Sequence, residues 1–277
     1  MTADDPPAPP GALSAARLRS LLLAQGGEWP GEIEHAAVLP STSDRLKLRA
    51  REGAPAWTVV LADAQTAGRG RHGQRWVSPP GNLYLSVLLR PAPAAARWGV
   101  LPLAAGVAVA EGLVSEGVDA RLKWPNDVVV AGRKVGGILV EATSSAEGLE
   151  SVVVGIGVNV SVRPAGLPAE VAAALTCVED ELGRPVDRLA LAAAVLVRLG
   201  VWYHALARGG PEVVQAAWRA RALPWWGRPV EARSGARRLR GIARGLDEAG
   251  ALILELEDGT RAVLHSGEVR EVRPAGE

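Results

Sequence analysis

Glycine beside fixed positive charge recurs in this chain, and that pairing suits an anion. In Gly68-Arg69-Gly70-Arg71-His72-Gly73 the glycines let backbone N–H groups turn toward an anion. Arg69, Arg71 and Arg75 add guanidinium forks that match phosphate geometry. Trp76 stands just beyond, and an indole can cover a nucleotide base. The same residues match the dinucleotide pattern G-x-G-x-x-G, which needs a helix opening directly on the loop. Gln74-Arg75-Trp76 and then Ser78-Pro79-Pro80-Gly81 follow instead, so a dinucleotide fold is rejected. A solvated basic loop stays open as the plain alternative for this stretch alone.

Lys123-Trp124-Pro125-Asn126-Asp127 ends one expected strand and leads into the next. Pro125 cannot join a ladder, so the turn projects its polar residues from the sheet edge, although Asn-Asp after Pro is also ordinary turn chemistry. Lys134-Val135-Gly136-Gly137 opens a further strand, and Gly155-Ile156-Gly157-Val158-Asn159 puts glycines inside another. Glycine weakens a strand interior unless a ligand or a second backbone needs the space. Two such pairs beside a Gly-Arg loop predict a sheet surface cleared for a flat ligand. The chain holds only three lysines (Lys47, Lys123, Lys134) and three asparagines (Asn82, Asn126, Asn159). Five of these six fall between positions 82 and 159, which marks places where neither Arg nor Ala serves. His35, His72, His204 and His265 have no metal-ligand spacing, and no Gly-x-Ser-x-Gly, zincin motif or P-loop occurs.

The elements that must hold these residues follow from composition and pattern. A chain of 277 residues has the length of roughly two domains, and 48% apolar content supports a sizeable core. Thirty-one basic against thirty acidic side chains leave +1, so no generic polyanion binder is indicated. A single cysteine, Cys177, excludes a disulfide framework and a multi-cysteine metal site, and it fits a reducing cytoplasm. Val100 to Val114 is the longest membrane candidate, shorter than the roughly 18–20 residues of a span, and it contains Pro102 and Glu111. The acidic, proline-rich start MTADDPPAPPG is unlike a signal peptide. A cytoplasmic protein without membrane contact is expected.

Residues 1–11 read as a disordered tail. Ser14 is expected to cap a helix carrying Leu18, Leu21 and Leu22, and Ser41 or Thr42 a helix reaching Arg51. Strands are expected over 33–39, 57–62, 83–89, 120–124, 128–141 (folded about Ala131-Gly132) and 151–162. Residues 65–81 read as a long loop, and 97–117, 168–175, 187–207 and 211–222 as helices. After Leu223 short strands (229–231, 238–245, 251–256, 261–265) alternate with Gly- and Asp-rich turns, the texture of a small barrel. Trp225-Trp226 is read as packing between the two parts.

Taken together, these stretches resemble the biotin protein ligases. The resemblance rests on Ser41-Thr42-Ser43, Gln65-Thr66-Ala67-Gly68-Arg69-Gly70-Arg71, Trp76, Gly81-Asn82-Leu83-Tyr84-Leu85-Ser86, Lys123-Trp124-Pro125-Asn126-Asp127, Lys134 to Glu141 and Gly155 to Asn159, in family order from about residue 36 onward. It implies an α+β fold: a catalytic domain of the class II aminoacyl-tRNA synthetase and biotin ligase type over 12–223, a mixed sheet with flanking helices, then an SH3-like barrel over 224–277. The implied activity joins biotin and ATP, with Mg²⁺ as activator, into biotinyl-5′-AMP. The biotinyl group then passes to a lysine of a biotin carboxyl carrier domain. No tightly bound prosthetic group is expected.

Carried over residue by residue, the resemblance implies that Ser41, Thr42, Gln65 and Gly68 meet biotin, with Gly137, Gly155 and Gly157 leaving it room. Arg69, Gly70, Arg71, Trp76, Asn126, Lys134 and Asn159 fall to the nucleotide, and Lys123, Lys134, Arg69 and Arg71 to catalysis. The metal ligands stay unknown. Ser43, Gln74 and Gly136 depart from the Asn, Arg and Ala that the family often has. The residues before the ligase core are too few for a winged-helix domain, so a monofunctional enzyme, monomer or homodimer, with no DNA partner is expected. A lipoate protein ligase or octanoyltransferase is the nearest alternative, and a non-catalytic biotin sensor the second.

Overall fold

The computed structural model describes residues 13–26, 29–91, 95–145, 148–234 and 237–271. The tail expected over residues 1–11 lies outside the described residues. Ser14 caps the first helix, α1 (Ala15–Ala24), by accepting from Arg17 N. Seven strands then build one sheet: β1 (Ile33–Leu39), β2 (Val59–Gln65), β3 (Leu83–Leu89), β4 (Ala120–Lys123), β5 (Asp127–Val130), β6 (Arg133–Ser145) and β7 (Gly148–Val158). Their order is β1-β2-β3-β7-β6-β5-β4. Strands β1 and β2 run parallel, with α2 (Thr42–Arg51) between them in the chain; all other neighbours are antiparallel.

Strand β2 starts two residues later than expected because Trp57 sits at φ 67°, a left-handed conformation that extended chain cannot continue. The hairpin between β5 and β6 turns on Ala131 and Gly132, both at positive φ, as a two-residue loop matched to strand twist requires.

Successive strand residues point to opposite faces; one face carries the main core, and Val60, Leu88 and Val153 on the other form a smaller cluster with Leu46 and Ala50 of α2. Leu83, Leu85, Val87 and Leu89 of β3 join Ile138 of β6 and Val154, Ile156 and Val158 of β7 in one buried cluster. Helix α3 (Leu101–Ser115) supplies Leu101, Leu103, Val107 and Leu113 to the same cluster. Two short helices, α4 (Ala169–Ala173) and α5 (Val178–Leu182), precede α6 (Arg188–Gly209) and α7 (Pro211–Arg221). The stretches Trp98–Ser115 and Arg188–Gly209 are long and apolar enough, by composition, to cross a membrane. That corrects the sequence reading, which passed over the second. Here α6 buries Leu189, Leu191, Val195, Leu196 and Leu199 in the core beside α3.

A second, antiparallel sheet follows: β8 (Pro229–Ser234), β9 (Arg237–Leu246), β10 (Leu252–Leu256), β11 (Arg261–Leu264) and β12 (Glu268–Glu271), in the order β11-β10-β9-β8-β12. Strand β12 was not expected from sequence. Trp226 meets Trp218 of α7 edge-on at 6.1 Å, and Trp225 is buried, so the tryptophan pair packs as anticipated. The Trp124 indole donates to Gly250 O at 3.0 Å and ties the β4–β5 turn to the second sheet.

Candidate functional site

The other face of the large sheet lacks side chains at its centre. Gly137 of β6 pairs with Gly157 of β7, which pairs in turn with Tyr84 of β3. A Cβ at Gly157 would lie 2.7 Å from Cε2 and Nε1 of Trp76, and one at Gly137 3.1 Å from its Cζ3. The first is too short for a real Cβ, and the second is tight enough that Trp76 would have to give by a few tenths of an ångström. The glycines therefore clear space that the Trp76 ring now shares. The surface predicted to be clear for a flat ligand is thus partly covered by Trp76. The indole N–H is buried without a hydrogen-bond partner among the described residues. A buried donor left open is costly, so an acceptor on a ligand is the natural complement. Gly155 makes room differently, since a Cβ there would stand 2.7 Å from Ser43 Oγ.

Lys134 reaches this face through a bulge. Val128 pairs with Gly136 but Val129 pairs with Lys134, which leaves Val135 as the extra residue, buried in the core. Lys134 and Gly137 thereby share one side: the Gly137 Cβ position lies 3.5 Å from Lys134 Nζ. The ammonium pairs with Asp127 at 2.5 Å and stands 5.2 Å from the Trp76 ring centroid.

The head of α2 closes the opposite end. Ser41 is its N-cap, accepting from Asp44 N. Gln65 Oε1 accepts from Thr42 N at 2.8 Å and from its Oγ1 at 3.2 Å, and Gln65 Nε2 donates to Ser78 Oγ. The stretch read as a loop over 65–81 is better ordered than expected. Backbone bonds from Gly70 N to Gln74 O and Trp76 N to Gly68 O fold it into a hairpin tipped at Arg71–Gly73.

These groups surround a cavity of about 760 Å³, within the range of small-molecule and cofactor sites. Its wall holds Ser41, Thr42, Gln65, Arg69, Gly70, Arg71, Trp76, Lys123, Asn126, Lys134, Gly137, Gly155 and Gly157 from the sequence reading. Five cations (Arg69, Arg71, Arg75, Lys123, Lys134) face three carboxylates (Asp127, Glu170, Glu268) there, so the cavity favours anions. Burial pulls the Arg71 guanidinium below its ordinary value, with Asp127 opposing; it stays charged at neutral pH. Burial pushes the Tyr84 phenol up to about 12, so it is neutral and its hydroxyl donates to Pro79 O.

Three expected residues make contacts within the protein. Asn159 is buried, lies off the cavity wall, and donates to Thr176 O at 3.1 Å, pinning the end of β7 to the segment before α5. Gly68 serves the hairpin: a Cβ would come 2.5 Å from Trp76 O. Arg69 lines the cavity, and both its terminal nitrogens donate to carboxylates, Nη1 to Glu141 and Nη2 to Glu141 and Asp44. Asn126 does line the cavity, with its Nδ2 spent on Ile138 O. The helix expected over 168–175 forms as α4, but sequence reasoning did not assign its Glu170 and Val171, or Gly267 and Glu268 of the β11–β12 turn, to the cavity that they line. Among the described residues no group of three or more His, Cys, Asp or Glu could hold a metal ion.

Residues 35–159 match the Biotin/lipoate A/B protein ligase family, and residues 226–270 the Biotin protein ligase C terminal domain. The chain is 39% identical to the biotin--[acetyl-CoA-carboxylase] ligase of Paracoccus denitrificans, over 83% of this chain and 95% of that protein. It is 34% identical to the Mycobacterium tuberculosis enzyme of the same name, over 99% and 100%. Among solved structures, the Aquifex aeolicus biotin protein ligase in complex with biotin and ATP superposes with a TM-score of 0.71 at 29% identity, covering 87% of this chain and 99% of that one. The glycine floor, the cationic wall and these likenesses agree: this chain belongs to the biotin protein ligase family.

Proposed function

We propose that the protein is an ATP-dependent biotin protein ligase. The biotin carboxylate attacks the α-phosphorus of ATP, the bond to pyrophosphate breaks, and biotinyl-5′-AMP forms. A lysine amine of a biotin carboxyl carrier domain then attacks the acyl carbon and expels AMP. In this reading residues 12–223 form the catalytic domain and 224–277 the small barrel.

Attack of a carboxylate on a phosphate brings like charges together, so cations must be fixed in advance; one preorganised group of this kind is typically worth ~10²–10³ in rate. Lys134 and Lys123 are placed for the carboxylate and α-phosphate oxygens, and Arg71 for the nucleotide from the loop tip. Ser41, Thr42 and Gln65 offer hydroxyl, backbone and amide groups to the ureido ring. Gly137 and Gly157 with Trp76 over them form an apolar slot for the rest of biotin, which moves Trp76 from the nucleotide side to the biotin side. The hairpin carrying Arg71 keeps water from the mixed anhydride. Among the described residues no group of three or more carboxylate, histidine or cysteine side chains is placed to hold a metal ion, and Asp127 is paired with Lys134, so the residues fit a Mg²⁺ that arrives on the nucleotide's own phosphates, as this ion commonly does. When bound, it would neutralise phosphate charge.

The observation that carries the reading is the glycine floor under Trp76 with Lys134 at its edge, on one sheet face. Incubation with biotin, ATP and an acceptor domain, probed with streptavidin, should label the acceptor. Labelling with lipoate and none with biotin would move the reading to the lipoate ligases; biotin binding without labelling would move it to a sensor.

A further inference from the structure

Ser86 stands inside β3 among leucine, valine and tyrosine, and it is fully buried. A hydroxyl in that position needs hydrogen-bond partners, and it finds them at the head of α2. Ser86 Oγ lies 2.9 Å from Thr42 Oγ1 and 3.0 Å from Ser43 Oγ. Strand alternation puts Ser86 on the same face as Tyr84, in register with Gly155 of β7. The missing side chain at Gly155 is what admits the serine of α2, because a Cβ there would lie 2.7 Å from Ser43 Oγ and 3.6 Å from Ser86 Oγ. Ser43 lines the cavity, and Ser86 sits behind it.

Counting protons fixes the direction of this row. The backbone N–H of Thr42 can only donate, so the Gln65 atom it meets at 2.8 Å is the amide oxygen. That oxygen can only accept, so the Thr42 hydroxyl, 3.2 Å away, gives its proton to Gln65. A hydroxyl carries one proton. With that of Thr42 spent, Ser86 donates to Thr42, and Ser43 in turn donates to Ser86. Ser43 thus ends the row with its proton committed and its lone pairs left over. Among the described residues no donor meets them. Toward the cavity Ser43 therefore offers an acceptor alone. The asparagine that the family often has here would carry both a donor and an acceptor and would impose no such sign.

We propose that Ser43 is a specificity-determining residue and Ser86 its positioning residue: the hydroxyl row makes Ser43 a one-way acceptor that selects a ligand carrying an N–H at this end of the cavity. The identity of that ligand rests on the ligase reading, in which the selected group is one ring N–H of the cyclic urea. A ring oxygen in its place would set two acceptors face to face. A site that pairs a buried acceptor with a ligand donor rejects the analogue lacking that donor far more strongly than a pocket that only measures size. Ser86 acts through Ser43, by holding its proton away from the ligand.

The experiment measures Kd by calorimetry for biotin and for its cyclic carbamate analogues, in each of which one ring N–H is replaced by oxygen, with wild type, Ser43→Ala and Ser86→Ala. Wild type should bind at least one analogue about 100-fold or more weakly than biotin. In Ser43→Ala biotin should bind about tenfold more weakly, and the penalty on one analogue should shrink by about tenfold because no lone pair faces the ring oxygen. Ser86→Ala should shrink the same penalty by a smaller factor, since the freed Ser43 proton can turn to that oxygen. A purely structural role for Ser86 would weaken biotin and the analogues alike and keep their ratio. Ser43→Ala carries the test if Ser86→Ala fails to fold. Equal wild-type affinity for biotin and both analogues, or wild-type ratios in the folded variants, would overturn the proposal. A wild type that binds no biotin would sink the ligase reading itself, a result distinct from biotin binding with unchanged ratios.

Discussion

Leu85, Ile156 and Ile138 stand in register across β3, β7 and β6, and all three are buried in the core with α3 and α6. One residue along the same strands, the row is Tyr84, Gly157 and Gly137, and it faces Trp76 and the hairpin. The first row earns stability through close-packed aliphatic side chains. The second gives up that packing, at a cost of about 0.5–1 kcal/mol per interior glycine, to leave a slot. One set of strands therefore holds a scaffold and a site back to back. Substitutions on the two faces should fail in different ways.

The largest effect on activity is expected at the edge of the slot. Lys134→Ala should slow adenylate formation ~10²–10³-fold while the melting temperature stays near wild type, as pyrophosphate release and calorimetry would show. Gly157→Val puts a side chain where Trp76 lies. It should cut kcat/KM for biotin about 10²-fold, the scale of a misplaced reacting group, again with the fold retained. The opposite face should invert that pattern. Leu85→Ala, fully buried in wild type, should cost about 2–5 kcal/mol of stability in denaturant titrations, with KM for biotin within about twofold where the protein remains folded. Loss of biotin affinity without loss of stability at Leu85 would break the distinction between faces.

The smallest effect concerns pH. Burial pushes the Glu141 carboxyl up, yet Arg69 and Lys47 outweigh burial and hold it below its ordinary value of 4.5. The unfolded chain binds that proton more readily, so the stability from this pairing is fully present above the ordinary value. It is lost as pH falls through the lowered one. Biotin affinity should thus show no step from this carboxylate between about pH 5 and 8, and calorimetry across that range would reveal one if present.

Much of the scaffold face was legible because aliphatic periodicity and turn residues are local signals: Leu83–Leu89 and the Ser14 and Ser41 caps stand where the pattern put them. The site face was legible in composition, through glycines and rare lysines, but not in geometry. The Val135 bulge that turns Lys134 toward Gly137 leaves no mark in hydrophobic alternation. The 65–81 hairpin is built from backbone bonds that side-chain pattern does not encode. Asn159 resembles a ligand contact in sequence, and the pattern does not foretell that its Nδ2 donates to Thr176 O. Lys47 looked like an isolated lysine until Glu141, far along the chain, closed beside it.

The central claim is that the glycine row, with Lys134 at its edge, is where an acid and a nucleotide meet. Its most direct test is a calorimetric titration of the purified protein with biotin, with and without ATP, set beside Gly157→Val. Saturable one-site binding in wild type, lost in the variant while its unfolding transition is kept, is the predicted result. Heat identical to buffer in wild type under both conditions, or equal binding by the variant, would contradict it.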